Sequence, residues 1–212
     1  MPPLAERMRP KVPGDYIGQR QIMGNDAPFR KLLEQKKIHS CIFWGPPGVG
    51  KTSLALLIAE FTDRRIFALS AVNAGVKDVR ETIDKASRVD LFHSGQAPIL
   101  FIDEIHRFNK SQQDALLEAV EKGTVILIGA TTENPSFEVN QALLSRCQVY
   151  VLEELSADDL KTMVDRAISR DSILSQQEIE VAEYEALIFF SGGDARKLYN
   201  ILEILASMHV VG

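Results

Sequence analysis

Two hydrophobic rhythms divide the chain. Between residues 41 and 152, short unbroken apolar runs alternate with stretches whose apolar positions recur every three or four residues. Beyond residue 152 only the second rhythm continues. The runs Cys41-Ile42-Phe43-Trp44, Ile66 to Ser70, 98–102, Thr124 to Ala130 and Gln148 to Leu152 predict five strands. Runs without alternation fit strands buried on both faces, as in a parallel sheet. Leu54, Ala55, Leu57 and Ile58 open a helix after the first run, and Val76, Val79, Ile83 and Ala86 share one helical face. Ser111 to Glu121 predicts another helix, with Ser111 and Asp114 at capping-box spacing. Strands alternating with helices imply an α/β fold, a five-stranded parallel sheet lying between helices.

Ser156 to Ile168, roughly Glu178 to Phe190, and Asp194 to Met208 predict three helices with no strand between them. They read as a small all-helical domain over 155–212, following an α/β core over 1–154. Residues 1–40 lead into that core through turn signals at Pro2-Pro3, Pro10 and Pro13-Gly14, then a mixed helical stretch.

Composition changes this picture little. The 212 residues are 45% hydrophobic and 25% charged, which fits an ordinary soluble globular protein. No apolar stretch approaches a membrane span and no signal-peptide pattern opens the chain. Two cysteines, Cys41 and Cys147, suit reduced core residues of a cytoplasmic protein better than a disulfide framework. The net charge of −5 is unevenly spread. Residues 1–40 carry 8 Lys and Arg against 4 Asp and Glu, whereas residues 153–212 carry 5 against 12. The acidic last third is therefore the least suitable face for a polyanion.

The candidate chemistry begins at Gly45-Pro46-Pro47-Gly48-Val49-Gly50-Lys51-Thr52, with Ser53 next in the helix. Strand, glycine-rich turn and helix is the order a phosphate-binding loop requires. Glycines let successive backbone N–H groups turn toward an anion, and the helix N-terminus adds a favourable dipole. Lys51 is placed to reach the β- and γ-phosphates of a nucleoside triphosphate, and the Thr52 hydroxyl to ligate Mg²⁺. A second motif follows the run Ile99 to Ile102, which ends in Asp103-Glu104. Adjacent carboxylates at a buried strand's end are costly unless something positive or protic meets them. Asp103 would hold Mg²⁺ and Glu104 would polarise an attacking water, so hydrolysis is favoured over binding alone. Without the phosphate loop, the same pair would read as a strand ending in solvated acids.

These motifs, followed by Thr131-Thr132, Ser145-Arg146-Cys147 and Gly193-Asp194-Ala195-Arg196, resemble the AAA+ ATPases of the clamp-loader and Holliday-junction motor branch. Pro3 to Pro10, Ser70 to Lys77, His106 to Asp114 and Gly129 to Phe137 sharpen the resemblance to the replication-associated recombination protein A family. Members of that family continue into an oligomerisation domain, so the 212 residues look like an ATPase module of a longer protein.

The resemblance implies roles. Thr132 would act as the sensor at the strand end, with Thr131 and Asn134 also eligible. Arg146 would be an arginine finger acting on a neighbouring subunit's site, which requires a homo-oligomer; the plainer alternative is a cation at a helix C-terminus. Arg196 lies in the first turn of a helix that Asp194 is placed to cap. A cation there opposes the helix dipole, which makes sense if it reaches a phosphate from a closing lid. Tyr16 and Ile17 would flank the adenine, with Arg9-Pro10 at the rim. DNA would be met by His106, Arg107 and Lys110, or by Lys77 and Arg80, through backbone-directed contacts.

The family further implies ATP and Mg²⁺ as ligands, and DNA and single-stranded-DNA-binding protein as partners. It implies a bacterial, nucleoid-associated setting and no membrane. The expected function is ATP-driven work on stalled replication forks or on DNA ends and gaps. A clamp-loader subunit, a branch-migration motor or a non-hydrolysing scaffold are the alternatives.

Overall fold

The computed structural model describes residues 1–72, 74–90 and 96–208. Asn73, inside the stretch Ser70 to Lys77 named above, lies outside them. The elements in chain order are α1 (Leu4–Arg7), α2 (Arg20–Met23), α3 (Pro28–Glu34), β1 (Cys41–Trp44), α4 (Lys51–Phe61), β2 (Ile66–Ser70), α5 (Val76–Asp90), β3 (Ile99–Asp103) and α6 (Lys110–Glu121). They continue as β4 (Ile126–Thr131), α7 (Pro135–Glu138), α8 (Gln141–Leu144), β5 (Gln148–Val151), α9 (Ala157–Arg170), α10 (Tyr184–Ser191) and α11 (Ala195–Met208).

The five strands pair in parallel in the order β2-β3-β4-β1-β5. The central three are the unbroken apolar runs, and alternate residues feed two separate cores. Cys41, Phe43, Ile99, Phe101, Ile128 and Ala130 pack with Leu54, Leu57 and Ile58 of α4. Ile42, Leu100, Ile102 and Leu127 pack on the other face with Val79 and Ala86 of α5 and Leu116 and Ala119 of α6. Burial on both faces explains why period-two alternation is absent from these strands.

The register brings all strand ends to one edge. Trp44 lies beside both Thr131 and Val151, Ile102 beside Gly129, and Ser70 beside Asp103. The Gly45 N–H donates to the Thr131 carbonyl at 3.2 Å, so the glycine-rich turn leaves the sheet next to the end of β4.

Several element boundaries differ from the sequence reading, three of them instructively. Helix α6 is capped by Asn109, whose side chain accepts from the Gln112 N–H at 3.0 Å while Gln112 accepts from the Asn109 N–H at 2.8 Å. The capping box therefore begins two residues before Ser111, which lies inside the first turn. Helix α10 starts at Tyr184 rather than near Glu178. Ile179 and Val181 are half-buried against the helical core while their neighbours are exposed, a period-two pattern that suits extended chain. The strand expected at Thr124 to Ala130 is shifted to Ile126–Thr131.

A third core lies among the C-terminal helices: Leu160, Val164, Leu174, Leu187, Leu198 and Leu202. Leu4 of α1 is fully buried in it. The Leu4 N–H donates to both carboxylate oxygens of Glu203 at 3.1 Å. Arg7 donates from Nε and Nη2 to the two Asp171 oxygens at 2.7 and 3.0 Å, and from Nη1 to Glu203 at 2.8 Å. The opening residues thus pack with the last helices, and the segment after them returns across the gap to the sheet.

Asp171 is buried, and the Arg7 hydrogen bond holds its carboxyl below the usual range. A depressed carboxyl pKa contributes stability above the unfolded value of about 3.9, lost as pH falls through the folded value. Arg7→Ala is expected to cost about 3 kcal/mol, because it strands a buried carboxylate. It should also flatten the loss of stability below pH ~4. Urea unfolding at pH 7 and at about pH 2.5 measures both.

Candidate nucleotide-binding site

Helix α4 differs from α6 and α9 at its start. Helices α6 and α9 both begin with capping boxes, at Asn109/Gln112 and Ser156/Asp159. Helix α4 begins at Gly50, which has φ +100° and makes no side-chain cap hydrogen bond. The first N–H groups of a helix have no intrahelical partner, so this end is open to an anion. A Cβ on Gly50 would come within 2.6 Å of the Tyr16 hydroxyl, which donates to the Gly50 carbonyl at 3.2 Å. Tyr16, expected only as an adenine contact, therefore also holds the turn itself. Its burial pushes the phenol pKa well above the ordinary value.

Lys51 is 7% exposed, and its Nζ donates to the carbonyls of Gly45 and Pro46 at 2.6 and 2.7 Å. Desolvation lowers its pKa, opposed by the charges of Glu104, Asp103 and Asp194. An ammonium so placed gains from any added negative charge nearby.

The turn borders a cleft of about 720 Å³ between the sheet edge and the helical layer. That volume suits a nucleotide-sized ligand. Pro47, Gly48, Val49, Gly50, Lys51, Thr52, Ser53, Asp103 and Glu104 line it from the sheet side. Tyr16 and Ile17 line it from the N-terminal segment, and Arg196 from α11. Gly45 and Pro46 are not in the lining; they serve through the carbonyls that take the Lys51 ammonium. Arg9, at the expected rim, has a buried Nε with no hydrogen-bond partner among the described residues. Arg9 lines the cleft, so this donor suits an acceptor such as a phosphate or a base.

The helical layer touches the turn directly. The Ala195 N–H donates to the Gly48 carbonyl at 3.2 Å. Asp194 caps α11 by accepting from the N–H groups of Arg196 and Lys197 at 2.8 and 3.1 Å. Gly48 has φ +75°, and a Cβ there would collide with the Asp194 carboxylate. Arg166 and Arg170 of α9, with Asn200 and Tyr199 of α11, also line it. Sequence reading missed these four. Only the helical spacing of Arg166 to Arg170 and of Arg196 to Asn200 hinted at shared faces.

Glu104 adopts a left-handed conformation, φ +56°, which turns its side chain off the end of β3. Such a backbone costs a non-glycine residue about 1 kcal/mol or more, and such residues cluster at functional positions. Its Oε2 lies 3.3 Å from Nδ1 of His106. Expected as a DNA contact, His106 instead turns inward, with a side chain only 13% exposed.

Other expected residues lie apart. Thr132 is half-buried beyond the end of β4 and is not in the cleft lining. Thr131 is fully buried; its hydroxyl donates to the Glu133 carbonyl at 3.1 Å and accepts from the Glu133 N–H at 3.0 Å. Asn134 caps α7 through the Ser136 N–H. Arg146 follows α8 on the exterior, where it donates to the Ala142 carbonyl at 2.6 Å and pairs with Glu121. It does not line its own chain's cleft. Lys77, Arg80, Arg107 and Lys110 are exposed, and Lys77 faces Glu81 at 3.7 Å. Cys41 is buried, and burial pushes the half-buried Cys147 thiol up to about 12.

Oxygen donors suit Mg²⁺: Thr52 and Asp103 share the cleft. No cluster of three or more His, Cys, Asp or Glu side chains able to hold a metal occurs among the described residues. No helix of the described residues is long and apolar enough to cross a membrane.

A parallel sheet whose edge carries a glycine-rich turn, a paired-acid strand end and a helical layer over both defines a class. Residues 41–155 match the model of the ATPase family associated with various cellular activities (AAA), and the chain belongs to that family. Within it, the chain is 50% identical over 207 residues to the replication-associated recombination protein A of Coxiella burnetii, covering 96% of this chain and 46% of that protein. It is 47% identical over 204 residues to the ATPase WRNIP1 of Dictyostelium discoideum, covering 95% of this chain and 23% of that protein. The resemblance read from the sequence is thus borne out along nearly the whole chain, which spans less than half the length of these relatives. Among solved structures, the Holliday junction branch migration motor RuvB of Thermotoga maritima superposes with a TM-score of 0.76 at 28% identity, covering 95% of this chain and 66% of that one.

Proposed function

We propose that the chain is the motor module of an ATP-hydrolysing enzyme of DNA replication, recombination and repair, acting at stalled forks or at DNA ends and gaps. The observation that carries the reading is the uncapped start of α4, with Lys51, Glu104 and Arg196 facing one cleft. The amides of the turn from Gly48 to Thr52 would receive the phosphates, and Lys51 would leave the Gly45 and Pro46 carbonyls for them. Glu104 would accept a proton from the attacking water. Mg²⁺, held through Thr52 and Asp103, would neutralise charge on the phosphate oxygens. Arg196 would add positive charge from the lid, which we take as residues 155–212. Thr132, or Thr131 beside it, would monitor the γ-phosphate from the end of β4. Tyr16 and Ile17 would bound the adenine.

The exterior position of Arg146 supports a role in trans, and hence a homo-oligomer. DNA would be held by its backbone at Arg107, Lys110, Lys77 and Arg80, in a cytoplasmic, nucleoid-associated setting where single-stranded-DNA-binding protein is a candidate partner. The names of the relatives support a replication and recombination role, and their greater length leaves room for the oligomerising part. The structural likeness to a branch-migration motor keeps that activity as the second reading.

Phosphate release by the assembled protein, with no DNA, gapped or single-ended duplex, or a four-way junction, tests both. Stimulation of at least several-fold by gaps or ends is expected. Equal rates with every DNA would contradict a DNA-directed role, and stimulation by the junction alone would favour the second reading.

A further inference from the structure

His106 sits between the acid that would activate water and the end of the strand that would sense phosphate. Its Nδ1 lies 2.9 Å from the Thr131 hydroxyl and 3.3 Å from Glu104 Oε2. The Thr131 hydroxyl lies within hydrogen-bond distance of both the carbonyl and the N–H of Glu133. That hydroxyl can donate to Nδ1 or accept from it, whereas the Glu104 carboxylate can only accept, so the tautomer protonated at Nδ1 is the one that serves both contacts. The same Nδ1–H then also faces the Glu104 carboxylate.

From this we infer that His106 is a positioning residue for hydrolysis. Its Nδ1–H, anchored on Thr131, holds Oε2 of Glu104 and leaves Oε1 to meet the attacking water. The inference rests on the ATPase reading above. Three features support it. Glu104 lines the cleft while in contact with His106, so the held orientation faces the substrate. Glu104 lies one residue past the end of β3, beyond the last residues that the neighbouring strands pair with. The adjoining Ile105 is fully buried in the core beneath the sheet, so the 3-10 turn over Ile105–Arg107 gives the imidazole a rigid mount. The arrangement also joins the ends of β3 and β4, so a shift at Thr131 or Thr132 on contact with the γ-phosphate reaches Glu104 through one side chain.

The test uses the assembled protein with His106→Ala, His106→Asn and Glu104→Gln. Single-turnover hydrolysis is measured alongside affinity for a fluorescent ATP analogue and thermal stability. An Asn side-chain amide can place an N–H close to where Nδ1 sits, and Ala cannot. His106→Ala is expected to slow single-turnover hydrolysis by about 10- to 100-fold, as misplacement of a reacting group by about 1 Å does. ATP affinity should stay within about twofold, and His106→Asn should recover most of the rate. A rate within twofold of the parent, or above it, in His106→Ala would overturn the inference. So would equal loss in Ala and Asn accompanied by lost stability or lost binding. If Glu104→Gln itself leaves hydrolysis intact, the ATPase reading has failed. If Glu104→Gln abolishes hydrolysis and His106→Ala does not slow it, only the positioning role has failed.

Discussion

Glu104→Gln is expected to lower the rate of ATP hydrolysis by about 10²- to 10⁴-fold while leaving ATP affinity nearly unchanged. That range is what a positioned general base typically contributes. The substitution keeps the size of the side chain and its ability to hydrogen-bond, but glutamine cannot take a proton from water. Its backbone consequences are also small, since glutamine meets about the same strain as glutamate at φ +56°. A loss of rate can therefore be assigned to chemistry. The enzyme should accumulate with ATP bound, and a filter-binding assay with labelled ATP should show long-lived complexes. Hydrolysis within threefold of the parent would show that another group, such as Asp103, activates the water.

Lys51→Met should act on the other half of the reaction. Hydrogen bonds to charged groups are worth about 1.5–3 kcal/mol, so ATP affinity should fall by about 10- to 150-fold. The protein without nucleotide should keep its stability to within about 1 kcal/mol. In that state the ammonium is desolvated, a cost reflected in its lowered pKa, and its hydrogen bonds go only to the carbonyls of Gly45 and Pro46. Removing the charge loses those two bonds and also relieves the desolvation, and the two effects oppose. Calorimetric titration with ATP and thermal melts separate affinity from stability. A variant that binds ATP normally would mean that the phosphates lie away from this turn.

Strands β1, β3 and β4 were legible because burial on both faces leaves an unbroken apolar run. The turn after β1 and the acids after β3 were legible because their residue types are tied to backbone geometry and charge. Helix boundaries set by polar side chains were harder to read. Asn109 and Ser111 both satisfy a capping rule, and only the fold selects Asn109, because Gln112 both closes the capping box and bonds the Ala74 carbonyl at 2.6 Å. The extended stretch before α10 imitated a helix since Ile179 and Val181 could belong to either period.

The N-terminal segment was opaque for a different reason. Leu4, Arg7, Asp171 and Glu203 are brought together by tertiary packing across nearly the full chain, and no local pattern encodes it. The same holds for Arg166, Arg170 and Asn200, which enter the cleft only because the helical layer docks on Gly48 through Asp194 and Ala195. His106 was misread because a charged or titratable residue beside an acidic motif looks solvated until its partner Thr131, 25 positions away, is placed next to it.

The central claim is that a nucleoside triphosphate is held by the open start of α4, within reach of Glu104. A crystal structure with Mg²⁺ and a nonhydrolysable ATP analogue tests it most directly. The β- and γ-phosphates are expected against the amides from Gly48 to Thr52, with Lys51 Nζ moved from the Gly45 and Pro46 carbonyls onto them. An analogue bound elsewhere, with Lys51 still on those carbonyls and the turn empty, would contradict it.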